Sequence, residues 1–590
     1  MKFCVLALLS GLLAPASSIC QSLYSDMTLP AAIVLTAGSD AVFVSDFNRD
    51  GLEDFYVNFT NQKNQLFKNN GDGTFTEIAQ SAGVAVDSKS ATAVWGDINN
   101  DGYPDLYVAR QSLSDQLFLN NGDETFSNIS LPAGIGQIGY PFAVNMADIN
   151  NDGFLDIYIA NFLTENVMYL NNGNSTFTDF TFQARASDKG KAMGTIFFDY
   201  DNDGDVDLYL VHDGNEPNLL YQNNGSGVFT EVGQAAGVNT QSFGMGVDAG
   251  DINNDGFLDL YITNLYKNFL LRNNGDGTFT DISASANVDD NGMGWGVTFL
   301  DYDNDGWLDI YAVNDYAFSP YPNVLYRNLG DQTFEKVEVL GSLSNKLQSY
   351  GTACFDYNLD GKPDLLVANR GTGESLQLFQ NDAATGSWIG IKLLGIQSNR
   401  GAIGAKIKIE DEFDGVHVKE LTAGHGWKSQ NSGVLHIGLG QATTVKTITI
   451  FWPSGLVQSI DPLALNSFYT IEEGGVPQPG LAGGNSTAVK STGSAQGFDF
   501  SLSPNPVPSN DAPVVIRLNL HEASPLRLEV FDQAGRLLFQ EKFASWQAGK
   551  SVLTLSPTVF SEPGSAGSYC VRLTGPTTAV VKQLVLMPQK

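Results

Sequence analysis

The chain has 590 residues, far more than one hydrophobic core organises, so several domains or one large repeat architecture with appendages is required. Its 62 glycines and 11% aromatic content, with moderate proline and charge, fit an all-β protein with many tight turns and argue against a helical or disordered chain. A formal net charge of −33 repels nucleic-acid phosphates and anionic membrane surfaces, which excludes nucleic acid as a partner and leaves cations as the natural counterpart.

Residues 1–20 read as a signal peptide: Lys2, an apolar stretch from Val5 to Leu13, then small residues from Ala14 to Ser18. The stretch is too short to span a bilayer, and cleavage is expected after Ala16 or Cys20. No later run is long and apolar enough for a transmembrane segment, so a secreted or surface-attached protein is expected. Of the cysteines only Cys354 and Cys570 certainly outlast processing, and they fall in different regions, so no disulfide framework is expected.

From residue 46 onward the pattern DxNxDGxxD or DxDxDGxxD recurs seven times with a period of about fifty residues. The acidic and amide positions are Asp46, Asn48, Asp50 and Asp54; Asp97, Asn99, Asp101 and Asp105; Asp148, Asn150, Asp152 and Asp156; and Asp199, Asp201, Asp203 and Asp207. They continue as Asp251, Asn253, Asp255 and Asp259; Asp301, Asp303, Asp305 and Asp309; and Asp356, Asn358, Asp360 and Asp364. Oxygens at positions one, three, five and nine, with a main-chain carbonyl at seven, wrap one Ca²⁺, which takes six to eight oxygen ligands. Position seven varies freely (Leu52, Tyr103, Phe154, Asp205, Phe257, Trp307, Lys362), as a main-chain ligand permits. Up to seven Ca²⁺ ions are therefore expected. An EF-hand is excluded because the bidentate Glu at position twelve is missing and strand-like runs such as Phe55-Tyr56-Val57 follow the loops.

Each repeat reads as four short strands, clearest in the fifth: 246–249, the acidic loop, 258–263, 269–272, the turn Asn273-Asn274-Gly275-Asp276-Gly277, and 278–282. Seven such units predict an all-β fold, a seven-bladed propeller over 21–383, with the small residues of each first strand suiting the crowded axis. The seventh unit lacks a fourth strand, and Leu23-Tyr24-Ser25-Asp26 is expected to supply it. On these loops, residues 31–380 resemble the VCBS or FG-GAP repeats of the integrin α-chain propeller. The resemblance implies Ca²⁺ in blade loops and recognition of a macromolecule on one surface. Strand alternation puts the metal loops and the Asn-Asn-Gly turns on one face. The opposite face carries the candidate recognition residues Tyr140, Phe142, His212, Tyr266, Lys267, Tyr316, Phe318, Tyr321 and Arg370, with the insertion 315–322 foremost.

A smaller β module is expected over 384–473, carrying Ser398-Asn399-Arg400-Gly401-Ala402-Ile403-Gly404-Ala405 and Trp452-Pro453-Ser454-Gly455. It resembles the ASPIC/UnbV module that follows FG-GAP repeats in the cartilage acidic protein family. His425 and Trp427 lie between Gly424 and Lys428 with no second His or Cys near, so they read as a structured loop, not an active site. Residues 474–497, rich in Gly, Ser, Thr and Pro, read as a flexible linker. Residues 498–590 form a C-terminal β-sandwich whose Ser503-Pro504-Asn505-Pro506 and Asp532-Gln533-Ala534-Gly535-Arg536 resemble a type A sorting domain of the type IX secretion system. That resemblance implies the secretion machinery as a partner and release or attachment outside the cell.

The five histidines, at 212, 417, 425, 436 and 521, are scattered, and most repeat acids are committed to the loops. The expectation is a non-enzymatic calcium-binding protein that mediates adhesion or recognition of a glycan or protein on the non-metal face. The alternatives are an extracellular polysaccharide-acting enzyme using the central mouth and a structural surface scaffold.

Overall fold

The computed structural model describes residues 23–481, apart from 36, 40, 339–340, 372 and 384–385, and seven strands between 498 and 586. The signal peptide, residues 482–497 of the linker, and the sorting-domain motifs at 504–506 and 532–536 lie outside the described residues. The chain is all-β and divides into two compact units, 1–483 and 484–590. Among the described residues, no helix is long and apolar enough to cross a membrane.

Alternating apolar residues and acidic turns fold 24–381 into repeats of four antiparallel strands in a propeller-like arrangement; the fifth and sixth repeats join in one eight-stranded sheet, and the first gains a parallel strand from 429–430. In the fifth, the strands are Gly244–Gly250, Asp259–Tyr266, Phe269–Asn273 and Phe279–Asp281, close to the predicted elements. The first strands touch in cyclic order, and the last, Ser349–Phe355, packs back on the first, Ala41–Ser45. Seven apolar clusters alternate with the sheets, each sharing residues of two neighbours; Phe55, Phe67 and Phe75 of the first sheet meet Phe355, Leu366 and Leu378 of the seventh. Tyr24–Asp26 supplies the missing fourth strand, with Tyr24 opposite Asn381 and Asp26 opposite Phe379.

An asparagine at the end of each third strand ties neighbouring sheets. Asn120 Nδ2 donates to its own Pro104 carbonyl at 3.0 Å and to Phe47 of the preceding repeat at 2.9 Å. Asn171, Asn223, Asn273, Asn328 and Asn381 do the same, and Asn69 reaches Tyr357 at 2.9 Å, which closes the circuit.

Residues 387–481 form two facing sheets around a core of Ile389, Ile391, Ile407, Ile409, Ile448, Ile450 and Trp452. This sandwich is part of the same compact unit as the repeats. It also runs past the predicted boundary at 473. Gln478–Pro479 pairs with Tyr469–Thr470, and Leu481 is buried, because apolar surface on the sandwich edge is covered by this segment rather than by solvent.

One loop of the sandwich, 422–433, enters the axis of the repeats. Ser429–Gln430 pairs in parallel with Val42–Phe43, and single bridges join Ala423 to Met146 and Gly426 to Val247. Trp427, buried, is packed with Met193, Met245, Met293 and Tyr350, with Phe142 and Trp295 alongside. The small residues of the first strands therefore serve a purpose beyond crowding. A Cβ on Gly246 would collide with the Trp295 carbonyl oxygen of the neighbouring first strand and lie 2.9 Å from Gly426 C and 3.0 Å from Trp427 N, so the glycine makes room for both that strand and the loop.

The C-terminal unit holds two sheets. One contains Phe498–Ser503, Val514–Leu520 and Gly549–Leu555; the other contains Leu537–Trp546, Ser524–Phe531, Gly567–Thr574 and Ala579–Leu586.

Candidate metal centres

All seven acidic loops adopt one conformation, built by a residue with positive φ at position four and a glycine at position six. Arg49, Asn100, Asn151, Asn202, Asn254, Asn304 and Leu359 have φ of 54–61°, and Gly51, Gly102, Gly153, Gly204, Gly256, Gly306 and Gly361 have φ of 80–93°. Asparagine and glycine are the residues that enter this region most easily, which explains their recurrence.

The turn folds the chain around the position-one carboxylate. Its Oδ2 accepts the glycine N–H, at 2.6 Å for Asp97 and Gly102 and at 2.8 Å for Asp301 and Gly306. Its Oδ1 accepts the N–H of position five, at 3.1 Å for Asp148 and Asp152 and at 2.9 Å for Asp301 and Asp305. Position nine sits at the start of the second strand and pins both ends of the loop. Asp105 Oδ2 accepts Ile98 N at 3.0 Å, and its Oδ1 accepts Asn120 N at 2.7 Å. Asp156, Asp259, Asp309 and Asp364 repeat this pair of bonds.

The residues predicted at positions one, three, five and nine thus share one turn and the start of the strand after it in every repeat, and among the described residues three carboxylates converge in two of these turns. Ligand oxygens of Asp199, Asp201 and Asp203 lie within 4.8 Å of one another, as do those of Asp301, Asp303 and Asp309. Several of the loop oxygens are buried with no hydrogen-bond partner: Asp46 Oδ1, Asp54 Oδ2, Asp201 Oδ1, Asn253 Oδ1 and Asp303 Oδ1. Buried acceptors without donors are costly, and hard oxygens converging in one turn fit a divalent cation that prefers oxygen. Burial raises several other carboxyls of the loops, and neighbouring aspartates add to the effect: Asp97 and Asp148 are pushed up to about 6, Asp251 and Asp356 to about 7, and Asp207 to about 9. Burial also drives Asp105, Asp156, Asp259, Asp309 and Asp364 well upward. A cation in the turn would reverse this penalty.

The spacing did not announce what lies over the loops. Lys392 Nζ is 2.6 Å from Asp46, and Lys406 Nζ is 3.0 Å from Asp199 and 2.5 Å from Asn202 Oδ1. Both lysines come from the sandwich. Arg400 N donates to Asn100 Oδ1 at 2.7 Å, Gly440 N to the Asn304 carbonyl at 2.8 Å, and His436 Nε2 lies 2.7 Å from Asn304 Oδ1. The sandwich therefore lies against the first, second, fourth and sixth loops, while Asp50, Asp101, Asp152, Asp203, Asp255 and Asp360 stay exposed. Within the sixth repeat, Arg327 joins Asp303 at 3.0 Å to Asp305 at 2.9 Å.

The sequence-predicted recognition residues divide. Tyr140, Tyr266, Phe318 and Arg370 are exposed on the opposite face. His212 is not available there: it is buried, with Nδ1 2.7 Å from the Pro217 carbonyl and Nε2 3.0 Å from Asp188. Tyr316 and Tyr321 each have a lysine over the ring, Lys346 at 5.9 Å and Lys336 at 4.7 Å. His425, in the axial loop, is buried and held far below the usual imidazole range, at about 3, by desolvation.

A model of the FG-GAP-like repeat matches residues 46–108, 97–159, 148–210, 199–262 and 261–312, and a model described as ASPIC and UnbV matches 395–478. Cartilage acidic protein 1 of Mus musculus is 24% identical over 449 residues, covering 71% of this chain and 62% of that protein. The Homo sapiens protein of the same name is 27% identical over 202 residues, 32% of this chain and 30% of its own length. The match thus spans less than two thirds of these relatives. Among solved structures, an Agrocybe aegerita lectin, described as recognising non-reducing terminal N-acetylglucosamine, is 20% identical with a TM-score of 0.36, covering 57% of this chain and 86% of the lectin. The chain is thus a protein of FG-GAP-like repeats followed by an ASPIC and UnbV domain, distantly similar to cartilage acidic protein 1.

Proposed function

We propose that the chain is an extracellular, calcium-binding seven-bladed propeller that recognises a macromolecule through the face opposite its metal loops and performs no chemistry. The observation that carries this reading is the division of the two faces. The sandwich lies against the loop face and the axis is filled around Trp427, while the other face presents exposed aromatic side chains. A filled axis disfavours the enzyme alternative, which needs an open central mouth. The orphaned loop oxygens support Ca²⁺ as the ion, held by the carboxylates and amides of positions one, three, five and nine. Bound there, the ion supplies charge neutralisation and rigidity, and the chain's own residues supply recognition. Export through the type IX machinery rests on the sequence motifs of 498–590 and is part of the same proposal.

The test is metal content and binding measured together on the full chain. Elemental analysis after gel filtration in Ca²⁺ is expected to give several ions per chain, and adhesion to the cognate surface is expected to fall with chelator. A metal-free protein with unchanged melting and unchanged adhesion would overturn the proposal.

A further inference from the structure

The seven loops share one backbone conformation, but the first departs from the side-chain bonding of the rest. In the other six, Oδ1 of the position-one aspartate accepts the position-five N–H at 2.9–3.2 Å. In the first, Asp50 N donates to Asn48 Oδ1 at 3.1 Å, and Asp46 Oδ1 and Asp54 Oδ2 are both buried without a hydrogen-bond partner. The other oxygen of Asp46 shows why. Lys392 Nζ lies 2.6 Å from Asp46 Oδ2, and the glycine N–H that shares this oxygen is 3.2 Å away, against 2.6–2.8 Å in the second, third, fifth, sixth and seventh loops. The ammonium draws the carboxylate out of its turn. Beneath Lys406 the fourth loop shows the same lengthening, to 3.3 Å.

Charge separates the first loop from the fourth and sixth, which also meet basic side chains. Lys406 pairs with Asp199, and Arg327 with Asp303 and Asp305, but these loops carry an additional carboxylate at position three, Asp201 and Asp303. There the cation offsets the extra anion. The first loop has three ligand carboxylates, as the second, third, fifth and seventh do, and among the described residues it alone of these five has an ion pair at its position-one aspartate. Lys362 of the seventh lies near the exposed Asp360 and does not pair with Asp356. A second cation stands at position four of the first loop: Arg49, over the Tyr103 ring at 5.0 Å, where five other loops have asparagine.

Lys392 is fixed in place. It belongs to the sandwich strand Ser387–Leu394, and Glu53, at position eight of the same loop, accepts Ser432 Oγ at 2.8 Å and Gly433 N at 3.1 Å. The loop is thus tied to the sandwich at two points. A divalent ion that takes the unpartnered oxygens of Asp46 and Asp54 stands beside an ammonium on the same carboxylate, and like charges so close repel strongly where water is scarce.

We propose that Lys392 makes the first loop the weakest Ca²⁺ site of the seven, so that its occupancy follows the ambient calcium level while the other loops stay filled; this rests on the reading of the loops as Ca²⁺ sites. Equilibrium dialysis of the full chain against radioactive Ca²⁺ is expected to show one ion held at least about tenfold more weakly than the rest. In Lys392→Met that ion binds at least about tenfold more tightly than in the unaltered chain, whereas Lys392→Arg, which keeps the charge, and Lys446→Met, at an exposed position of the sandwich, leave it weak. Asp50→Ala removes the weak ion, and Asp152→Ala, the same change in the third loop, removes a tight one; this pair carries the test should Lys392→Met fail to fold. Ions of one affinity class, a weak ion unmoved by Lys392→Met, or a weak ion that is lost with Asp152→Ala and kept in Asp50→Ala overturns the role of Lys392 while calcium binding stands. A chain that binds no Ca²⁺ at all removes the calcium reading and this proposal with it.

Discussion

Asn171 shows how much a single polar side chain carries here. Its Nδ2 bonds the Ile98 carbonyl at 2.9 Å and the Leu155 carbonyl at 3.0 Å, and its Oδ1 accepts Gly173 N at 3.0 Å. Replacement by alanine strands two buried carbonyls, so Asn171→Ala is expected to cost about 1–3 kcal/mol in urea unfolding. Asn172→Ala, at the neighbouring exposed position, is expected to stay within about 0.5 kcal/mol. From the sequence, Asn171 and Asn172 look alike as turn residues; only the neighbouring sheet distinguishes them. The position-nine aspartates are similar. Their place in the acidic loop was legible from spacing, while their bonds to two backbone N–H groups were not, because one of the donors lies in a different strand.

His425 makes a second prediction at this scale. Its folded pKa, about 3, lies below the ordinary imidazole value, so the unfolded chain binds a proton that the folded chain refuses. Stability from this group is complete above about pH 6.5 and is lost as pH falls toward 3. Between pH 7 and pH 5 the loss is about 2 kcal/mol from this residue. His425→Leu is expected to unfold in urea with a correspondingly smaller drop over that interval; an identical drop would remove the explanation.

At the scale of elements, the axial loop and the N-terminal strand complete what the repeats leave open. Trp427 is 1% exposed, and Trp427→Ala opens a cavity expected to cost about 3–5 kcal/mol in chemical unfolding. Removing residues 23–28 leaves the edge of the seventh sheet unpaired and is expected to lower the melting temperature of the repeats, read by circular dichroism. The strand was legible because Leu23–Asp26 has the pattern of the other fourth strands. The loop was not: His425 and Trp427 sit among glycines in a region with no periodic signal. The glycines they fit against, 194 and 246, are more than 150 residues away in sequence, and their purpose appears only in three dimensions.

For the whole molecule, the repetition was the most legible feature, since copies of one acidic loop recur about every fifty residues. What covers the ring was hidden, because Lys392 and Lys406 reach carboxylates separated from them by 346 and 207 positions. If free Ca²⁺ exceeds each site's dissociation constant tenfold, each ion contributes about 1.4 kcal/mol. Chelation is therefore expected to lower the melting temperature of the unit spanning 1–483, and readdition of Ca²⁺ to restore it; a melt insensitive to chelator would contradict the metal assignment.

Repeat arrays commonly grow or shrink by gaining or losing units, but Trp427 touches opposite walls of this one, 5.4 Å from Phe142 and 4.7 Å from Trp295. Inserting or deleting a unit would change the separation of those walls, so that one indole would no longer reach both. A side chain encoded after the last repeat thus acts as a gauge, restricting duplication and deletion in the segment that precedes it.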